Sequence, residues 1–457
     1  MKRLYILLIA ISMIFFSCKK DWLEKKRDIK LIVPQTLNDL RLLLSDDDNI
    51  MMDNVNLMEL SGDDYYVPNT IFSTLEPIER NLYLWSNTVY PEDRLIEDWD
   101  LAYKQIALAN IVLDQIAKIP PTSAQQSEWN DVKGSAQFLR AKSMYFLAQT
   151  FCKPYSNNAS SDLGIVIRKT ADMAEPVTRA TLQETYDLID NDLISASSLL
   201  TDLPTMITSP SKVSAFALLA RVSLVRGDFQ NALKYANSSL ALKSDILNFN
   251  TLNFGSFFVM PAPQNNPEIL QYSIASQRNH RAFILVYSRM QNDVYNQYDN
   301  NDLRKTAWFM NMGSGENGTN AYKGSYSANI DLFTGLSTTE VFLIRAEANA
   351  RLNNPSAALT DVNRILEKRF KTGTFTPIVA PDAQVLSIVL AERQKELLRR
   401  GLRWSDIRRL SQTAEAPGFI SRKIDGVEYK LLKGDTRYTL PIPNYIIRQN
   451  GIPQNPR

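Results

Sequence analysis

The sequence predicts a mainly α-helical fold, a right-handed scaffold of helical hairpins like tetratricopeptide (TPR) repeats, which carries a loop-rich, irregular region. Apolar residues recur at helical spacing along much of the chain, one helix–turn–helix pattern occurs twice, and two long segments lack that periodicity. With 457 residues, of which 44% are hydrophobic and 22% charged, the chain is long enough to bury a large core.

The first predicted hairpin spans residues 97–151. One helical face of its first half carries a stripe of apolar residues: Trp99, Ala102, Tyr103, Ile106, Ala109, Leu113 and Ile116. The stripe stops before Pro120, and a second helix is expected from Val132 to Phe151. That helix should end before Pro154, because the residue that precedes a proline disfavours the helical conformation.

A helix–turn–helix pattern with TPR spacing occurs twice. Phe216 and Ala232 are sixteen residues apart, and Phe342 and Ala358 repeat this spacing. The small alanines let paired helices pack closely, and a TPR unit needs neighbours to bury its apolar face. The sequence therefore predicts a stack of hairpins in four segments, at about residues 97–151, 181–226, 228–242 and 338–410.

Three segments do not follow the helical repeat. Residues 45–96 and 243–337 are rich in Asn, Asp, Gly, Tyr and Pro, and long irregular spans inside a domain are usually functional loops. Short strands are expected within the second segment, for example from Ile269 to Ile274. Residues 411–457 are proline-rich toward their end, which predicts an extended strap over the surface rather than another helix.

The N-terminus has the parts of a bacterial lipoprotein signal. Lys2 and Arg3 precede an apolar run from Leu4 to Phe16, followed by Ser17 and Cys18. As a helix the run would span roughly 20 Å, which is short of the ~30 Å hydrocarbon core of a bilayer. We therefore predict a signal peptide, a lipidated Cys18 with a tether, and a single folded unit, over residues 1–17, 18–30 and 31–457.

Charge, histidine and cysteine content exclude several classes of function. Lys and Arg number 51 and Asp and Glu 49, without the clustered basic excess of a nucleic-acid-binding protein. His280 is the only histidine, and Cys18 and Cys152 are the only cysteines, which leaves too few ligands for most zinc sites. No cofactor, metal ion or catalytic residue is predicted, and Cys152 is expected to be a buried, inert thiol.

Six sequence blocks occur in a fixed order. The first is the lipoprotein signal with Trp22–Glu24; the others are Trp99 with Tyr103, Ile106 and Asn110; Gly134 with Phe138–Ala141; Phe342–Ala348; Glu392–Arg409; and Leu440–Pro443 with Gln454–Pro456. Together they resemble the SusD/RagB family of outer-membrane nutrient-binding lipoproteins over nearly the whole chain. Arg400 and Ser405 depart from the family pattern, in which an acidic and an aromatic residue are usual.

The resemblance implies a function as well as a fold. It implies capture of an oligosaccharide or polysaccharide by the irregular loops and its delivery to a SusC-like TonB-dependent outer-membrane transporter, without catalysis. The protein would face the cell exterior and contact the membrane only through its lipid anchor, with no nucleic-acid partner. The alternatives are a peptide-binding uptake lipoprotein of the same architecture, a scaffold that binds only its transporter, and a secreted glycosidase.

Two glutamates on one predicted helix raise the glycosidase alternative. Glu392 and Glu396 are one helical turn apart, and retaining glycosidases hold two carboxyl groups ~5–5.5 Å apart. Neighbouring arginines favour the ionised carboxylate, however, whereas a general acid needs a raised pKa. We therefore predict a structural ion-pair network that contains Glu392, Arg393, Glu396 and Arg403.

Aromatic residues in the two loop-rich segments are the candidates for ligand contacts. A sugar ring presents an apolar C–H face that packs on an exposed aromatic plane, while its hydroxyl groups need polar partners. We predict Trp85 and Trp308 as the aromatic platform of a glycan site, with Tyr66 as the third candidate.

Overall fold

The structure is a computed structural model that describes residues 34–45, 51–92, 94–172, 174–275, 287–313 and 319–457. The predicted signal peptide, Cys18 and His280 lie outside these residues. The helices are α1 Leu37–Leu43, α2 Asn56–Ser61, α3 Asn69–Phe72, α4 Pro77–Tyr83, α5 Glu97–Ile116, α6 Gln126–Phe151, α7 Leu182–Leu199, α8 Lys212–Val225, α9 Phe229–Leu242, α10 Asn292–Tyr295, α11 Arg304–Ala307, α12 Thr338–Arg351, α13 Pro355–Glu367, α14 Asp382–Glu396, α15 Arg403–Leu410 and α16 Asn444–Asn450. Among the described residues, no helix has both the length and the apolar character needed to cross a membrane.

The strands are short and pair two by two. They are β1 Met52–Asp53, β2 Tyr65–Tyr66, β3 Leu163–Val166, β4 Arg179–Thr181, β5 Ile269–Gln271, β6 Ile274–Ala275, β7 Arg289–Met290, β8 Phe309–Asn311, β9 Asn320–Tyr322, β10 Leu336–Ser337, β11 Phe419–Ile424 and β12 Val427–Leu432. β1 pairs with β6 in parallel, and the antiparallel pairs are β2–β7, β3–β4, β5–β10, β8–β9 and β11–β12. The pairs β1–β6 and β2–β7 fasten the two loop-rich segments to each other.

The helical hairpins pack in sequence order, and the predicted mainly helical, TPR-like fold class is confirmed. The repeated sixteen-residue spacing corresponds to the pairs α8–α9 and α12–α13, in which Ala232 and Ala358 are completely buried. Between α8 and α9, Gly227 adopts a left-handed φ of 74°. The side chain of Asp228 then caps α9 by accepting from Asn231 N–H at 3.1 Å.

Buried ion pairs connect α14 to the second loop-rich segment. Glu396 lies 2.9 Å from Arg304 Nη1 and 2.7 Å from Arg369 Nη2, and Glu392 lies 3.1 Å from Arg304 Nη2. Burial by itself would raise the pKa of Glu396, but the two guanidinium groups outweigh this and lower the pKa to about 2. A carboxyl group in this state cannot act as a general acid near neutral pH.

The two arginines of the predicted network pair with other partners. Arg393 Nε lies 2.9 Å from Asp406 Oδ2 on α15, and Arg403 Nε lies 2.5 Å from Asp63 Oδ1 in the first loop-rich segment. The four predicted residues therefore all form ion pairs, but they belong to three clusters rather than one network. Arg304 and Asp63 come from segments far away in sequence, and Asp406 lies on the next helix, so the pattern of α14 alone did not indicate these partners.

The C-terminal segment differs from the extended strap that we predicted. It contains the hairpin β11–β12 and the helix α16. Asp425 and Gly426 form the hairpin turn with φ values of 47° and 80°, the backbone conformation that Asp-Gly pairs favour in two-residue hairpins. α16 begins directly after Pro443, whose φ of −55° is compatible with the entry to a helix. The expectation of no further helix was wrong.

Candidate functional site

An open polar cleft of about 780 Å³ lies where both loop-rich segments meet the C-terminal hairpin. Its walls come from residues around β2, from α10, from the end of α14 and from β11–β12. We call it the hairpin cleft; it is lined by Asp63, Tyr66, Tyr83, Gln291, Asp293, Val294, Gln297, Gln394, Ile420, Ser421, Arg422, Lys423, Gly426 and Glu428. A volume of this size is typical of small-molecule ligand sites, and loops held by a rigid scaffold are the usual setting for binding.

Asp63, which lines one wall of the hairpin cleft, belongs to an acidic pair with Asp64. Arg403 donates to Asp63 through Nε at 2.5 Å and Nη2 at 3.0 Å, and its Nε lies 3.3 Å from Asp64 Oδ1. Burial raises the pKa of Asp63, but the charge and hydrogen bonds of Arg403, together with the charge of Arg422, outweigh burial and hold this pKa below its usual value. For Asp64, burial dominates and raises the pKa to about 7. The wall therefore carries the ionised carboxylate of Asp63, whereas Asp64, which is buried and does not line the cleft, takes up a proton near neutral pH.

Arg422 fixes β11 to the base of the cleft. Its side chain is buried, and its guanidinium carbon lies 3.8 Å, 4.6 Å and 5.1 Å from the ring centroids of Tyr83, Trp85 and Tyr65. It also donates to the carbonyl oxygens of Tyr83 and Gly62. The aromatic faces and the carbonyl groups compensate for the water that the guanidinium loses on burial. This aromatic cage therefore binds an arginine of the protein itself.

Trp85 and Trp308 do not form the exposed platform that we predicted. They are 2% and 1% exposed, respectively. The indole N–H of Trp85 donates to the Ser61 carbonyl at 2.9 Å, and Trp308 packs so closely that a Cβ at Gly324 would lie 2.0 Å from its Cδ1. The prediction of stacking on these two rings was wrong, because a buried ring offers no open plane to a ligand.

Tyr66 is the one of the three predicted ligand residues that borders the hairpin cleft. Its position is fixed by the β2–β7 pairing, in which Tyr66 is opposite Arg289. The side chain is nevertheless only 4% exposed. A contact between Tyr66 and a ligand remains a prediction, and the small exposed area of the residue limits how much of the ring a ligand could contact.

Three glutamine side chains supply neutral hydrogen-bonding groups to the cleft. The amide nitrogen of Gln394 donates to Asp64 Oδ1 at 2.9 Å, and that of Gln297 donates to the Asp293 carbonyl at 3.2 Å. The amide nitrogen of Gln291 lies 3.4 Å from the Tyr65 carbonyl. These bonds orient the amides while their oxygens still have lone pairs for hydroxyl donors. The arrangement suits a ligand with many hydroxyl groups.

Among the residues that the structure describes, β11 pairs only with β12, which leaves its other edge open at the cleft. The two-residue turn and the 2.9 Å bond from Lys433 N–H to the Gly418 carbonyl define which residues bond across the hairpin. Because bonded and non-bonded pairs alternate in an antiparallel ladder, the backbone groups of Phe419, Ser421 and Lys423 point away from β12. Ser421 and Lys423 line the cleft. The edge therefore offers backbone donors and acceptors in addition to side chains.

The C-terminal hairpin is the part of the site that the sequence prediction missed. The alternation from Phe419 to Leu432 around Asp425 and Gly426 is a strong hairpin signal and would have identified it. No comparable signal exists for the cage around Arg422, because its rings are more than 300 residues away. In the part of the chain that the structure describes, no three His, Cys, Asp or Glu side chains converge as metal ligands.

Known proteins resemble this chain in sequence and in fold. Residues 21–224 match the family model described as "Starch-binding associating with outer membrane", and residues 336–457 match that of the SusD family. SusD-like protein P2 of Formosa agariphila is 25% identical over 422 residues, which cover 78% of this chain and 79% of that protein.

Solved structures share the fold over most of the chain. A SusD superfamily protein from Bacteroides vulgatus aligns with a TM-score of 0.75 and 21% identity, over 92% of this chain and 99% of its own. A SusD-like carbohydrate binding protein from the same species aligns with a TM-score of 0.67 and 19% identity, over 91% and 97%. With family matches in both the N-terminal and the C-terminal part, the chain belongs to the SusD/RagB family.

Proposed function

We propose that this protein is the lipid-anchored, glycan-binding component of an outer-membrane nutrient-uptake complex. In this function it captures an oligosaccharide at the cell exterior and delivers it to a SusC-like TonB-dependent transporter. The observation that carries the proposal is the hairpin cleft, an open volume of about 780 Å³ with amide, carboxylate and backbone groups along its walls. Sugar hydroxyls both donate and accept hydrogen bonds, so they match such a mixed lining.

The proposal includes binding without catalysis. Glu392 and Glu396, the pair that suggested a glycosidase, are buried and engaged by Arg304 rather than placed at the cleft. Asp64, the carboxyl near the cleft with a pKa of about 7, lies beside Asp63, whose pKa is lowered by Arg403. Both accept bonds from side chains of the protein. We therefore expect no product when a bound glycan is incubated with the protein.

A binding screen tests the proposal. The mature chain without its lipid, beginning at Lys19, is titrated with plant, host and microbial polysaccharides and with protein fragments, and the products are analysed. We expect selective binding of one glycan class without product formation. Gln297→Ala should weaken that binding, whereas Gln384→Ala should not, because both glutamines are exposed but only Gln297 lines the cleft. Turnover of the glycan, or equal effects of both substitutions, would contradict the proposal.

Peptide capture is the second candidate, and the open edge of β11 favours it. An extended peptide can add a strand to an exposed edge, with main-chain hydrogen bonds that need no sequence motif. Ser421 and Lys423 would supply these backbone groups within the cleft. Binding of unstructured protein fragments without any response to glycans would select this function over glycan capture.

The anchor and the transporter require separate tests. Cys18 is proposed as the lipidated residue, so Cys18→Ala should release the protein from the outer membrane, and mass spectrometry of the native N-terminus should find acyl chains. Affinity purification of the protein from its own membranes should recover a TonB-dependent transporter. Protease treatment of intact cells should degrade the protein if it faces the exterior.

A further inference from the structure

The outer face of the hairpin β11–β12 carries an exposed apolar pair. Phe419 is 44% exposed and Leu432 is 54% exposed, and the two residues are cross-strand partners. They form a non-hydrogen-bonded pair, in which the two side chains approach most closely. Lys430 Nζ lies 4.3 Å from the centroid of the Phe419 ring. The pair is thus a small apolar area that includes an accessible phenyl ring and has polar groups at its margin.

The strand register connects this pair to the hairpin cleft. Side chains alternate along a strand, so Phe419, Ser421 and Lys423 share the outer face of β11, while Arg422 points into the cage. Ser421, Lys423 and Glu428 line the cleft, and Glu428 is the cross-strand partner of Lys423. Lys423 is four positions after Phe419, which corresponds to a distance of about 13 Å along the strand. One continuous surface therefore leads from the cleft to the apolar pair.

We propose that this surface is a second subsite for the glycan that binds in the hairpin cleft, an inference that rests on the proposed function. The chain of sugar units leaves the cleft at Lys423 and Glu428 and follows β11. The apolar C–H face of a further sugar unit packs on Phe419 and Leu432. The protein consequently selects glycan chains that extend at least about 13 Å beyond the cleft, and it binds disaccharides of the same glycan weakly.

The size and the surroundings of the pair favour a sugar over a protein partner. A stable protein interface buries about 800 Å² on each partner with an apolar centre, whereas here two apolar side chains stand among lysines. The same face of the hairpin exposes Ser421, Lys423 and Lys430. An accessible ring with polar neighbours matches the amphipathic surface of a sugar unit.

Length-dependent binding tests the subsite. The probes are hydrolysates of starch, xylan, β-glucan and mannan, separated by chain length and titrated into the mature protein by calorimetry. For the glycan that binds, we expect at least tenfold tighter binding of long fractions than of disaccharides. Phe419→Ala should weaken the long fractions about tenfold and leave disaccharide binding unchanged, and Phe419→Tyr should restore long-chain affinity because it keeps the ring plane.

Phe257→Ala is the matched control. Phe257 is 50% exposed and has Lys323 Nζ 5.6 Å from its ring centroid, but it is not among the residues of the cleft or the hairpin. Equal affinity for short and long fractions, or equal losses in the two alanine variants, would overturn the subsite while leaving glycan capture intact. A wild-type protein that binds protein fragments but no hydrolysate would overturn both proposals. Unchanged thermal melting of the exposed Phe419→Ala variant shows that a loss of affinity is not unfolding.

Discussion

Arg369 and Glu396 form a completely enclosed ion pair, in which Arg369 Nη2 lies 2.7 Å from Glu396 Oε1 and neither side chain has exposed surface. Glu268 also contacts Arg369 Nη2 at 2.7 Å, and Arg304 contacts Glu396 at 2.9 Å. The cluster joins α14 to two separate parts of the second loop-rich segment, at Glu268 and at Arg304. It therefore holds the scaffold and the loops in one arrangement.

Removal of the negative charge from this cluster should destabilise the protein strongly. Glu396→Gln leaves Arg304 and Arg369 with too little compensating charge, and we expect the free energy of unfolding to fall by about 3–5 kcal/mol. Glu428→Gln is the control, because Glu428 forms an exposed pair with Lys430 at 3.1 Å that should contribute less than about 1 kcal/mol. Denaturant unfolding of both variants measures the difference, and similar small losses would contradict the prediction.

The same cluster should make the free energy of unfolding depend on pH in the acidic range. The pKa of Glu396 is about 2 in the folded protein and ordinarily 4.5. A lowered pKa means that its contribution is fully present above about pH 4.5 and is lost as pH falls toward 2. The difference in unfolding free energy between wild type and Glu396→Gln should therefore shrink below about pH 4. A constant difference from neutral pH to about pH 2 would contradict this assignment.

Asp98 should have the opposite effect on pH dependence. It is buried and accepts from Leu57 N–H at 2.9 Å and from Asn56 Nδ2 at 3.0 Å. Burial raises its pKa to about 7, so its contribution to stability is fully present below about pH 4 and is lost as pH rises through 7. Asp98→Asn should therefore gain stability relative to wild type between about pH 5 and pH 8. Asp382→Asn, at an exposed position, should show no such trend in thermal melting.

Gly324 should tolerate no side chain. A Cβ at this position would lie 2.0 Å from Trp308 Cδ1 and 2.7 Å from Trp308 Cα, whereas a Cβ at Gly418 would meet no atom within 4 Å. We expect Gly324→Ala to lower the free energy of unfolding by about 1–3 kcal/mol. Gly418→Ala should stay within about 0.5 kcal/mol of wild type. Equal stability of the two variants would show that the contact with Trp308 is not tight.

Cys152 should be unreactive in the folded protein. Its side chain has no exposed surface, and burial raises the pKa of its thiol to about 11. Thiolate is the reactive form, so both access and ionisation are suppressed. A chromogenic disulfide reagent should label the mature chain without Cys18 only after denaturant is added. Rapid labelling under native conditions would contradict the buried placement.

The helical scaffold was predictable because its signals are local. Phe342 and Ala358 repeat the spacing of Phe216 and Ala232, and both pairs lie in helical hairpins. Periodicity needs only a short window of sequence, and the alanines at the helix contact identify the partner faces.

The site was less predictable because its contacts are long-range. Trp85 is an aromatic residue in a loop-rich segment, which is typical of a ligand platform. Its ring is nevertheless covered by Arg422, which is more than 300 residues away in sequence. Burial by a distant residue leaves no mark near Trp85 in the sequence. Glu396 was similarly assigned to arginines near it in sequence, whereas its close partners Arg304 and Arg369 come from other segments. Only the turn at Asp425 and Gly426 offered a local signal for the hairpin.

The cage around Arg422 should control the order of the cleft wall. Arg422→Met keeps the length of the side chain but leaves the buried carbonyls of Gly62 and Tyr83 without their donor, so we expect a loss of about 1–3 kcal/mol. Hydrogen exchange along β11–β12 should accelerate, because the anchor of the hairpin to the base of the cleft is removed. Glycan affinity should also fall, because β11 forms one wall of the cleft and becomes less ordered in this variant.

Lys423→Met is the control for Arg422→Met. It distinguishes the anchoring of the hairpin by Arg422 from a general effect of removing a positive charge from β11. Lys423 is exposed and adjacent to Arg422, so its replacement removes one positive charge but no cage contact. Exchange in β11–β12 should remain at the wild-type rate in this variant, even if its glycan affinity changes through the cleft lining. Equal acceleration of exchange in both variants would mean that the cage does not anchor the hairpin. Unchanged exchange in Arg422→Met would mean that the hydrogen bonds between β11 and β12 and their flanking contacts keep the hairpin ordered without the cage. Acceleration confined to Arg422→Met would identify the buried guanidinium as the link between the C-terminal hairpin and the first loop-rich segment.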